Sequence, residues 1–117
     1  MSIALLQVDG ALVVPLQADL RDAEVDGIQT AILDRLAASR AHGVVFDLST
    51  VDLVDSYFGR MIRDTAAMCR LMGAQAVLVG MRPAVAITLV ELGLDLPGIG
   101  VELDLGRGIA WLQTHTR

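Results

Sequence analysis

The chain has 117 residues, a formal charge of −5 from nine arginines against fourteen acidic side chains, one cysteine and no lysine. That balance excludes nucleic acid as an expected partner, because neutralising phosphates takes basic patches and one Trp, one Tyr and two Phe leave bases little to stack on. Without lysine there is no P-loop, Schiff-base or phospho-aspartate-receiver chemistry of the usual kind, since Arg cannot replace a compact or deprotonated amine.

Taken in chain order, IALLQV (3–8) and ALVVPLQ (11–17) are apolar runs separated by Asp9-Gly10. Asp-Gly between such runs predicts a β-hairpin. Pro15 has no N–H to give a ladder, so the second strand is expected to have an edge or a bulge there. Residues 22–39 predict a helix that Asp19 or Asp22 can cap, with Val25, Ile28, Ile32, Leu33 and Leu36 as its buried stripe and Gly43 as its stop. A strand over 44–48 follows. An acidic loop then leads into a helix from Ser56 to Met72, closed by Gly73 at the position after its C-cap. Gln75–Val79 predicts a strand covered on both faces.

Arg82-Pro83 opens the next helix with Pro at its first position, and the helix runs to about Leu92 with Gly93 as its stop. AVAITLVEL holds so little polarity that this helix is expected to be deeply buried or covered by a partner. Pro97, Gly98, Gly100 and Gly106 punctuate a loop around a short strand near Val101–Leu103. A last helix, about 106–114, turns Ile109 and Leu112 inward, with Trp111 at its margin. The order ββαβαβαβα predicts an α/β layer architecture in a single domain over 1–117. A hydrophobic fraction of 54% and mean hydropathy of +0.57 predict surplus apolar surface that ends at a subunit interface. No basic segment precedes an apolar run and no apolar run approaches roughly 18 residues, so neither secretion nor membrane spanning is expected.

The chemistry concentrates in GVVFDLSTVDLVDSYFGRMIRD (43–64), where a strand hands a loop to a helix N-terminus. Such junctions present reactive groups or bind anions in open α/β sheets. On the helical wheel Phe58, Met61, Ile62, Thr65, Cys69 and Met72 form the core stripe. Ser56, Gly59, Arg60, Arg63, Ala67 and Arg70 form an outward strip that reads as a docking surface. Asp55-Ser56 can serve as a helix cap, or Ser56 can be a phosphorylation site whose added charge the free N–H groups stabilise and Arg60 reaches. Asp47 is expected to organise the loop through backbone N–H bonds, together with Ser49 and Thr50. Asp52 and Asp55 lack the spacing of a calcium loop. His42 and His115 are expected to be solvated, and Cys69 to be an inert packing residue without a disulfide partner. No catalytic triad, nucleophile elbow, metal-ligand cluster or cofactor motif appears.

The hairpin, VVFDLSTVDLVDS, LMGAQAVLVGMRPAVAITLVELG and LDLGRGIAWL resemble a STAS domain, and within that family the small RsbS-type anti-sigma-factor antagonist of stressosomes. The resemblance covers nearly the whole chain. It implies the STAS fold, a mixed sheet with an N-terminal hairpin and about four helices. It also implies a non-catalytic cytosolic scaffold that co-assembles with RsbR-type STAS sensors, self-associates and holds an RsbT-type serine/threonine kinase. The family's phospho-acceptor falls on Ser56, which follows Asp55 as in the family motif, with a phosphatase to reset the site; the helical wheel adds Gly59, Arg60 and Arg63 to Asp55 and Ser56 as expected partner-binding positions. Free antagonists of anti-sigma kinases usually follow the serine with a small residue and then Gly. Tyr57-Phe58-Gly59 departs from that pattern and favours the scaffold type over a free one-to-one antagonist or a small-ligand STAS module. No sensory domain precedes the hairpin, so the chain is not expected to sense the stress itself.

Overall fold

The computed structural model describes residues 5–17 and 22–115. β1 (Leu6–Val8) and β2 (Ala11–Pro15) form an antiparallel hairpin with Leu6 opposite Val13 and Val8 opposite Ala11. Asp9 and Gly10 both take positive φ, 49° and 81°, as a two-residue type I′ turn requires. There follow α1 (Asp22–Ala38), β3 (Gly43–Asp47), α2 (Ser56–Leu71), β4 (Gln75–Val79), α3 (Pro83–Glu91), β5 (Gly100–Glu102) and α4 (Leu105–His115). The strands lie in the order β1-β2-β3-β4-β5, and every pair from β2 to β5 is parallel. This is the mixed-sheet ββαβαβαβα architecture that the residue pattern predicts.

Strand alternation divides the core in two. Leu12, Val14, Val44, Phe46, Ala76 and Leu78 point into the larger cluster, which the buried stripes of α1 and α2 and Val85 and Leu89 of α3 complete. Ala11, Val13, Val45, Val77 and Val79 point to the opposite face, where Leu112 of α4 joins them. Because both faces are covered, β2, β3 and β4 read as continuous apolar runs and not as alternating ones. Among the described residues no helix is long and apolar enough to cross a membrane.

Several local expectations change. Gly43 does not stop α1: Ser39 closes that helix, its hydroxyl donating to Leu36 O and accepting from Ala41 N. Gly43 is instead the first residue of β3, where a Cβ would sit 2.8 Å from Leu112 Cδ1. Pro15 lies on an internal strand, paired in register with Asp47. Leu16 N donates to Asp47 O, so strand alternation turns the Pro15 nitrogen toward the β1 side, past the Leu6–Val13 pair that ends the described hairpin. Asp19 as a cap and residues 3 and 4 of the first strand lie outside the described residues. Of the two alternatives for helix α3, deep burial is ruled out and cover by a partner stays open: only Val85 and Leu89 are buried, while Ile87 and Val90 face outward. α4 starts one residue early because Asp104 Oδ1 accepts from Arg107 N at 2.8 Å.

Candidate functional site

The β3–α2 loop carries the candidate serine, and four bonds fix its course. Asp47 Oδ1 accepts from Ser49 N at 2.9 Å, the loop-organising role its position predicts. Thr50 Oγ1 donates to Leu16 O at 3.0 Å, Val51 N to Leu48 O at 3.0 Å, and Arg82 Nε to Ser49 O at 2.9 Å. Val51 and Val54 sink into the core as two apolar pegs. The loop is therefore tied to Leu16 just past β2, to the start of α3 and to the core before it reaches the helix.

Asp55 takes the N-cap position of α2, in extended backbone geometry, and its Oδ1 accepts from Phe58 N at 2.8 Å. Gly59 N donates to Asp55 O at 3.0 Å and closes the first turn. Ser56 is thus the first helical residue and not the cap. Its side chain is half-buried, and its hydroxyl has no hydrogen-bond partner among the described residues. The amides of Ser56 and Tyr57 lie among the four donors that a helix leaves without intrahelical acceptors. A hydroxyl whose capping role is filled by its neighbour is left available for chemistry.

Tyr57 OH donates to Asp26 Oδ1 at 2.6 Å and ties the first turn of α2 to α1. That bond, then partial burial, then the negative charges of Asp26 and Asp22, hold the phenol above its usual pKa. Further along the same seam Gln29 Nε2 donates to Thr65 Oγ1 at 2.9 Å, which satisfies a fully buried hydroxyl. Asp26, Gln29, Tyr57, Arg60, Met61 and Asp64 line a cavity of about 240 Å³ between the two helices.

The outward strip is only partly as the wheel predicts. Arg60, Ala67 and Arg70 are exposed and Arg63 is half-buried. Arg63 Nε pairs with Asp64 Oδ1 at 3.1 Å, and Arg70 Nη1 reaches Pro97 O at 3.4 Å. Gly59 does not belong to the strip. It is buried, and a Cβ there would lie 2.4 Å from Leu94 Cδ1 and 3.3 Å from Leu89 Cδ2, so its missing side chain admits the end of α3 and not an outside partner. Met72 is half-exposed at the C-cap, and not part of the core stripe.

Sequence reasoning missed the Tyr57–Asp26 and Arg82–Ser49 ties, which join residues 31 and 33 positions apart and leave no local signal. Cys69 is buried and free, and burial pushes its thiol up to about 11, consistent with a packing role. His115 is not simply solvated: its ring stacks on Trp111 with centroids 4.0 Å apart, and its Nδ1 lies 2.8 Å from Trp111 O. Among the described residues no three His, Cys, Asp or Glu side chains gather as a metal site.

Comparison with known proteins identifies the family and the fold. The family model for the STAS domain matches residues 2–104. A solved structure of a serine-to-glutamate variant of Moorella thermoacetica RsbS superposes with a TM-score of 0.86 at 32% identity, covering 98% of this chain and 97% of that one. A chain from the molecular architecture of the stressosome, described as a signal integration and transduction hub, superposes with a TM-score of 0.84 at 35% identity, covering 96% of this chain and 97% of its own. The RsbT co-antagonist protein RsbRD of Bacillus subtilis (strain 168) is 28% identical over 102 residues, which span 87% of this chain and 37% of that protein. The chain spans well under half the length of the curated co-antagonists it matches.

Proposed function

The chain belongs to the STAS domain family, among stressosome-related proteins, and on that premise we propose that it is a non-catalytic scaffold and anti-sigma-factor antagonist that holds an RsbT-type serine/threonine kinase and releases it when phosphorylated on Ser56. In this reading it is a single cytoplasmic domain that assembles with copies of itself and with RsbR-type STAS paralogues, and a phosphatase restores the unmodified serine.

One observation carries the reading: among the described residues the Ser56 hydroxyl stands unbonded at the first position of α2, where Asp55 caps the helix in its place. A phosphoryl group there adds roughly −1.5 to −2 charges. The open amides of the first turn and the positive end of the helix dipole favour it by roughly 0.3–1 kcal/mol, so the fold tolerates the modification. Asp52 and Asp55 beside it make the modified surface strongly anionic. A kinase that phosphorylates Ser56 must bring the γ-phosphate of its nucleotide to that oxygen. When it reloads with ATP, the phosphoserine and the nucleotide phosphates contend for one volume with like charge, and the partner is expelled.

The direct test is incubation with an RsbT-type kinase and ATP, with mass-spectrometric mapping and sizing of the products. The expected outcome is a single phosphate on Ser56 and a kinase that co-elutes with the unmodified protein only. Phosphate on another residue, or retention of the kinase by the fully modified protein, overturns the assignment.

A further inference from the structure

We propose that Leu53 is the apolar anchor by which the kinase acting on Ser56 recognises this chain, seated in a pocket of that kinase whose rim is basic. The inference deepens the reading of Ser56 as the acceptor and rests on it.

Leu53 is 74% exposed three residues before Ser56, between the exposed carboxylates of Asp52 and Asp55. Its exposure is built in and is not the fraying of a loose loop. Val51 is fully buried on one side and Val54 is buried on the other, and the loop is held by Ser49 N to Asp47, Thr50 to Leu16 O and Arg82 to Ser49 O. A loop with two valines folded inward has been tied so that its leucine points away from the core. Holding such a side chain rigidly in water lowers the ordering cost of burying it later against a partner.

Charge identifies the occupant. From Asp47 to Asp55 the loop contributes three carboxylates and no basic residue. The nearby Arg82 has its Nε committed to the Ser49 carbonyl. In a two-fold contact centred on this loop a second copy of this chain would meet these carboxylates with its own, whereas a kinase surface carrying arginine or lysine around an apolar pocket complements them. Leu71 is more exposed still, at 90%, but it lies at the far end of α2, roughly 22 Å from Ser56 at 1.5 Å per residue, and serves as the control.

The experiment uses the full chain and an RsbT-type kinase, and reads binding, phosphorylation kinetics and oligomeric state. Leu53→Ser is expected to weaken binding about 10- to 100-fold, the equivalent of one buried leucine. It should raise KM for phosphorylation of Ser56 with kcat unchanged, because the anchor binds ground and transition states alike. Leu53→Met should restore most of the affinity, and Leu71→Ser should stay within about twofold of wild type. Asp52→Arg should lower affinity and flatten its dependence on salt. If Ser56 is modified and Leu53→Ser binds like wild type, the anchor falls and the switch stands. If Leu53→Ser weakens binding while the kinase leaves Ser56 unmodified, the switch falls and the anchor stands as a contact only. If wild type shows neither binding nor modification, both fall. Dissociation of an oligomer of this chain by Leu53→Ser, with kinase affinity unchanged, gives the leucine to a second copy and overturns the proposal.

Discussion

Helices α2 and α3 leave the same end of the parallel strands, one after β3 and one after β4, yet their first turns differ in kind. α2 begins with a side-chain cap from Asp55 and a hydroxyl at its first position. α3 begins with Arg82, which makes no side-chain cap bond, and with Pro83, which has neither an amide hydrogen nor a hydroxyl to offer. Their last turns are alike. Gly73 and Gly93 take φ of 88° and 68°, and Ala74 N and Leu94 N bond back to Cys69 O and Leu89 O. Packing also separates them: α2 buries seven residues along its length, α3 only Val85 and Leu89. Two helices closed the same way and opened differently place the distinguishing chemistry at the openings. The well-anchored helix is the one able to carry a new charge without unwinding.

The strongest way to break that comparison is at the point where the two helices meet. Gly59→Val puts methyl groups where a Cβ alone already lies 2.4 Å from Leu94 Cδ1, and the expected loss is about 1–3 kcal/mol by overpacking. Urea denaturation reads this directly. A variant as stable as wild type would mean that α3 does not hold this contact in solution.

The next effect sharpens the contrast between the openings. Asp55→Ala removes the cap of α2 and should destabilise by about 1 kcal/mol. Arg82→Ala removes no cap from α3, only one exposed bond to Ser49 O, and should fall near the lower end of roughly 0.5–1.5 kcal/mol. Equal losses in the two variants would erase the distinction. Smaller again in stability is Arg60→Glu on the exposed strip. It should leave the unfolding midpoint unchanged and lower kinase affinity by about tenfold or less in a titration at low salt.

These variants also mark how far the residues could be read in advance. The strand and helix order was legible because each element carries its period and its stop: Asp9-Gly10 for the hairpin, Pro83 for the start of α3, Gly73 and Gly93 for the helix ends. The place of Ser56 in the first turn of α2 was legible for the same reason. What escaped were facts of tertiary contact. Gly59 sits at the margin of the wheel, and whether that margin faces water or α3 depends on where Leu89 and Leu94 arrive. Gly43 follows a helix as a stop would, and only the approach of Leu112 explains its lack of a side chain. The cap itself was ambiguous, since both Asp55 and Ser56 are good capping residues and only the Asp55 bond to Phe58 N decides between them.

That decision makes the smallest stability change the most diagnostic one. If Ser56 were the cap, Ser56→Ala would cost about as much as Asp55→Ala. As the first helical residue with an unbonded hydroxyl, it should cost nothing beyond roughly ±0.5 kcal/mol, and the better helix propensity of Ala acts in its favour. The same variant should reduce phosphate incorporation by the kinase to background and keep the kinase bound in the presence of ATP. Ser56→Asp should be equally stable, because a carboxylate at a helix N-terminus is favoured by the dipole while Asp52 and Asp55 oppose it, and should bind the kinase more weakly than wild type. A loss of stability in Ser56→Ala comparable to that of Asp55→Ala would show the hydroxyl to be structural. Unchanged stability with unchanged kinase release would show it to be idle. Only a stable variant that fails to let go separates the serine's place in the fold from its work on the partner.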